Sequence, residues 1–93
     1  MKIAIPKEKI DGENRVAASP EVAGKLVGLG FDVTIEEGAG LNSSFSDDAY
    51  KDAGTDISKD MEEALKTADM VWKVRAPSVE EMNGMKKGAI LLA

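Results

Sequence analysis

Apolar positions along this chain fall into short clusters separated by stretches with helical spacing. Lys2–Ile5, Phe31–Glu36, Thr55–Ile57, Met70–Val74 and Gly88–Leu92 read as strands, the third the least marked. Helices fill the gaps. Ser19 before Pro20 is a favoured cap and first-turn pairing. Val22, Ala23, Leu26 and Val27 then recur at helical spacing, and Gly30 ends the run. A second helix starts at Ser46, carries Asp47 and Asp48 in its first turn and stops at Gly54. A third runs from about Asp60 to Ala68, with Asp60 and Glu63 spaced as a capping box. A fourth begins at Ser78, with Glu81 three residues on and Lys86 and Lys87 near its end.

Strands alternating with helices predict βαβ units and a mostly parallel sheet with helices on both faces. The expected architecture is a three-layer α/β/α fold, flavodoxin-like or Rossmann-like and incomplete. The predicted core is Ile3, Ile5, Val33, Ile35, Val71, Val74, Ile90 and Leu91. Gly88–Ala93 is an apolar strand with no helix after it, although parallel sheets are covered on both faces. Residues 1–93 therefore read as one domain at the start of a longer polypeptide; the alternative is a complete small domain.

Ninety-three residues allow a single thin core. Twelve basic against seventeen acidic residues give a net charge of −5, which argues against nucleic acid or an anionic membrane as the main partner. No run approaches the length of a membrane span, so no direct membrane insertion is expected. The chain has no cysteine and no histidine. It therefore has no disulfide or thiolate chemistry, and it lacks the commonest general base. No metal site is indicated.

Two cations stand out. Arg15 lies in the loop between the first strand and the first helix. Ligands of open α/β sheets bind outside the carboxyl ends of the strands, and a guanidinium there suits an anion. The alternative is an ordinary surface arginine paired with Glu13 or another acid. Lys73 interrupts an otherwise buried strand. A lysine is rarely buried unless paired, so it either reaches the same crevice or snorkels to solvent. Gly38-Ala39-Gly40-Leu41-Asn42-Ser43 approaches a dinucleotide fingerprint, but serine replaces its third glycine and the next helix opens with acids. It reads as a glycine-rich turn. Trp72 reads as packing, and the cluster Met61, Met70, Met82 and Met85 as gap-filling core.

Several separated motifs share one order: Met1–Pro6 with Lys7-Glu8, Glu13-Asn14-Arg15-Val16-Ala17-Ala18-Ser19-Pro20, Gly28–Val33, Glu37–Gly40 and Ala68–Val74. Together they resemble the N-terminal domain of the alanine dehydrogenase and pyridine nucleotide transhydrogenase family, over the whole of Met1–Ala93. Trp72-Lys73-Val74 and Ala18-Ser19-Pro20-Glu21 are more similar to the branch formed by the α subunits of proton-translocating NAD(P) transhydrogenases. That likeness implies an oxidoreductase moving hydride between NAD(H) and NADP(H), with the nucleotide fingerprint elsewhere in the polypeptide. No cofactor and no catalytic residue is then expected within this chain alone. It also implies a homodimer, membrane-bound transhydrogenase partner subunits and a location on the cytoplasmic or matrix side. The alternative branch implies an alanine dehydrogenase, in which the residues matching Arg15 and Lys73 hold the substrate's carboxylate and carbonyl. A histidine of those enzymes falls beyond Ala93. A third reading, of another class, is a non-catalytic binding or assembly module.

Overall fold

The computed structural model describes residues 1–8, 13, 15–74, 79–86 and 88–92. In chain order its elements are β1 (Lys2–Ile5), α1 (Pro20–Gly28), β2 (Asp32–Glu36), a 3₁₀ turn (Leu41–Ser43), α2 (Asp47–Asp52), β3 (Asp56–Ser58), α3 (Met61–Thr67), β4 (Met70–Trp72), α4 (Val79–Gly84) and β5 (Ile90–Leu92). The strands form one sheet in the order β3-β2-β1-β4-β5, with parallel pairings throughout. The chain therefore winds outward from β1 through β2 to β3, then returns to the other side of β1 for β4 and β5. Right-handed crossovers put the helices of the two halves on opposite faces.

The cores confirm this layering. Ile3, Ile5, Val33 and Ile35 pack on one face with Ala23 of α1 and Tyr50 of α2. Ala4 and Val71 pack on the other with Met61, Leu65 and Ala68. Alternate residues of β1 thus serve both layers, as a central parallel strand requires. The three-layer α/β/α expectation holds.

Local signals account for most boundaries. The Ser19 hydroxyl accepts from the Val22 N–H at 3.2 Å, and the Ser46 hydroxyl from the Ala49 N–H at 3.1 Å. Gly30 and Gly54 end α1 and α2 at φ +98° and +100°, conformations a side chain would strain. The capping box at Asp60 does not form, since the Asp60 side chain makes no capping bond. Ser58 intervenes: its hydroxyl accepts from the Asp60 N–H and donates to the Asp60 carbonyl. The expected start of α4 at Ser78 and the Lys87 near its end lie outside the described residues.

The predicted core needs correcting at the second edge. Ile90 is 52% exposed, Leu91 and Leu92 are also exposed, and Val74 is only half-buried. β5 is an edge strand paired with β4 alone, so apolar composition was no guide to its depth. Met82 is likewise exposed rather than core. Tyr50, missed as core, is fully buried.

Candidate functional site

The strand order reverses between β1 and β4, because β1 leads on to β2 while β4 sits on its opposite side. Connections leaving two such strands diverge and leave a crevice at their carboxyl ends, the usual ligand position in open α/β sheets. Two segments meet there. One follows β1 and carries Glu8, Glu13 and Arg15. The other follows β4 and begins with Lys73.

Glu8 joins the two segments. Its Oε2 accepts the Val74 N–H at 3.0 Å, and its Oε1 lies 3.5 Å from Lys73 Nζ. The Glu8 and Lys73 side chains are only 2% and 3% exposed. Lys73 therefore neither snorkels nor lines an open surface; it is held inside by an internal carboxylate. Its own N–H still donates to the Leu92 carbonyl at 2.8 Å, which fixes the backbone at the end of β4. A buried charge is tolerated only when paired in this way.

Glu13 does the same for Arg15, with a different outcome. Glu13 Oε2 accepts from both the Arg15 N–H (3.0 Å) and Nε (2.9 Å), while Oε1 accepts from Nη2 (3.0 Å). The carboxylate is 3% exposed and the arginine 70% exposed. The arginine is thus tethered by one edge and open on the other. Its hydrogen bond to Glu13 raises its already high pKa, the charge of Glu13 adds to this, and Glu8 contributes a smaller push in the same direction. Arg15 and Lys73 are in this way linked through Glu8, which pairs with one and acts electrostatically on the other.

Tyr50 fixes the end of the β1–α1 connection at Ala18. Its hydroxyl donates to the Ala18 carbonyl at 2.7 Å, three residues beyond Arg15. Its ring closes on Gly40, where an added Cβ would lie 2.7 Å from the ring. The glycine-rich turn is therefore a packing device. Its Gly38 N–H donates to the Asp47 carboxylate at 2.9 Å, so an acid already occupies the donor that a pyrophosphate would need. These residues do not fit a dinucleotide. Trp72 packs on the Ile3 and Ile5 layer, and its indole N–H is buried with no hydrogen-bond partner among the described residues. Among the described residues no cluster of acids suits a metal ion, and no helix is long and apolar enough to cross a membrane.

Sequence reasoning singled out Arg15 and Lys73 and named Glu13 as a partner for Arg15, the pairing the structure shows, but it missed Glu8. The available signal was position. Glu8 stands three residues beyond the end of the central strand, and Glu13 two residues before Arg15.

Residues 4–93 match the family model described as "Alanine dehydrogenase/PNT, N-terminal domain". The chain belongs to this family. It is 52% identical over 97 aligned positions to the first part of the NAD(P) transhydrogenase subunit alpha of Rhodospirillum rubrum, covering 99% of this chain and 25% of that one. It is 46% identical over 91 positions to the alanine dehydrogenase of Staphylococcus haemolyticus, covering 98% of this chain and 24% of the other. A solved transhydrogenase from Sinorhizobium meliloti superposes with a TM-score of 0.91 at 43% identity, over 98% of this chain and 26% of its own. A solved L-alanine dehydrogenase gives the same TM-score at 36% identity, over 98% of this chain and 25% of its own. This member of the alanine dehydrogenase/PNT family thus spans about a quarter of the length of such relatives.

Proposed function

We propose that this chain is the N-terminal domain of the NAD(H)-binding α subunit of a proton-translocating NAD(P) transhydrogenase. The observation that carries this reading is the 52% identity to a piece of a transhydrogenase α subunit over 99% of the chain. In this reading the domain supports hydride transfer between NAD(H) and NADP(H) without binding the nucleotide itself. The closed turn at Gly38 supports that division, because its backbone donor is taken by Asp47. The nucleotide site, the homodimer contact and the membrane-bound partner subunits then belong to the complete assembly, on the cytoplasmic or matrix side. The 93-residue chain alone should be inactive, since hydride transfer needs a positioned nicotinamide.

A second reading is favoured by one feature of the crevice. Arg15 keeps an open, solvent-facing edge, as a site for a small carboxylate would. That suits an alanine dehydrogenase domain, in which Arg15 contacts the substrate's carboxylate and Lys73 would have to leave Glu8 to reach its carbonyl.

A domain exchange separates the two. The chain is joined in place of the matching quarter of the Rhodospirillum rubrum α-subunit polypeptide, reconstituted with its partners. Hydride transfer from NADH to an NADP⁺ analogue supports the first reading. Failure there, with alanine-dependent NAD⁺ reduction when the chain replaces the matching segment of an alanine dehydrogenase, supports the second.

A further inference from the structure

We propose that Glu13 is a positioning residue that turns Arg15 into a preset site for a small carboxylate. The inference rests on the reading of Arg15 as a ligand-binding cation. A guanidinium carries five N–H donors in a rigid fork. Glu13 occupies the inner edge, through Nε and one hydrogen of Nη2. The outer edge, formed by Nη1 and the second hydrogen of Nη2, remains on a side chain that is 70% exposed. That edge can receive a planar carboxylate through two parallel bonds. The same carboxylate of Glu13 also holds the Arg15 backbone N–H, so side chain and backbone are fixed together. Lys73 offers no comparable edge, being buried against Glu8.

Glu13 also carries a negative charge, and two opposed effects must be weighed. A carboxylate roughly 7 Å from the incoming anion, through a solvent-like dielectric, weakens binding about threefold. Ordering a flexible arginine in advance strengthens binding about tenfold. Preorganisation therefore wins, and removing the charge of Glu13 should weaken anion binding rather than strengthen it. A merely competing counter-ion would behave in the opposite sense.

The test uses the 93-residue chain with pyruvate as the probe, followed through the side-chain ¹⁵N signals of Arg15. In the unsubstituted chain, pyruvate should shift the Nη signals and leave Nε in place. Glu13→Gln should weaken binding about threefold, the roughly tenfold loss of preorganisation less the roughly threefold relief of repulsion, and Glu13→Asp should recover part of the loss. Unchanged or tighter binding in Glu13→Gln overturns the role of Glu13 alone. A moving Nε signal in the unsubstituted chain does so too, without any substitution that might disturb folding. Absence of any pyruvate response at Arg15 overturns the ligand reading of Arg15 itself, and the present inference with it.

Discussion

The Glu8 carboxylate lies 3.5 Å from the Lys73 ammonium across the point where the strand order reverses, and both side chains are almost wholly withdrawn from water. A lysine at the lip of a crevice would lose little on truncation. Lys73 is different, because its removal leaves a buried carboxylate without its cation. Lys73→Met should therefore lower stability by about 3 kcal/mol. Urea unfolding, followed through Trp72, the chain's single tryptophan, measures it.

Tyr50 gives the second expectation. Burial, and then the charge of Asp47, push its phenol up to about 12 from the ordinary value of 10.0. The folded state therefore keeps the proton that the unfolded chain releases first. Stability from this group is complete below about pH 10 and is lost as pH rises from there through about 12, by at most about 3 kcal/mol. As Tyr50 is the chain's one tyrosine, phenolate absorbance reports it directly. Tyr50→Phe should abolish this alkaline loss and cost about 1–2 kcal/mol at neutral pH, since the Ala18 carbonyl loses its donor.

At acidic pH the reporter is Asp69. Its carboxylate accepts from Lys86 Nζ and from the Lys2 N–H, and these bonds, Lys86 first, lower its pKa. A depressed carboxylate contributes stability that is full above its unfolded value and is lost as pH falls through its folded one. Asp69→Asn should flatten the acid limb of the stability profile. An unchanged limb in that variant contradicts the assignment.

Gly40 tests the packing role of the glycine-rich turn. An added Cβ would meet the Tyr50 ring at 2.7 Å and the Phe45 Cβ at 2.8 Å, so Gly40→Ala should destabilise by about 2–3 kcal/mol. Thermal unfolding reads this out. Full stability in the variant would mean that the turn is open, as a nucleotide loop needs to be.

The edge of the sheet supplies a contrast. Val71 is buried and Ile90 is half-exposed, though both are apolar strand residues. Val71→Ala should cost about 2 kcal/mol, whereas Ile90→Thr should cost within about 0.5 kcal/mol. Equal losses would show that β5 is as deeply buried as β4.

These contrasts also show what the sequence could and could not disclose. The alternation of strands with capped helices was legible because Ser19, Ser46, Gly30 and Gly54 act locally, within a turn of their own residues. The layered sheet followed from the same periodicity. Depth at the edge was not legible, because Ile90 and Val71 look alike until the strand order is known. Arg15 stood out in the loop between the first strand and the first helix, and Lys73 as a cation interrupting an apolar run. Glu13 was legible as a partner for Arg15, two residues away, but Glu8 was not, since Glu8 and Lys73 are far apart in the chain and only the crossover brings them together. The Asp60 capping box failed for a local reason: Ser58 reached the same backbone first.

A double-mutant cycle on Glu8 and Lys73 tests most directly the claim that internal carboxylates organise the cations at the crevice. Unfolding free energies are compared for the unsubstituted chain, Glu8→Gln, Lys73→Met and the double variant. The arrangement predicts a coupling of at least about 2 kcal/mol, with the double variant more stable than Lys73→Met alone. Additive losses, with coupling below about 0.5 kcal/mol, would contradict it.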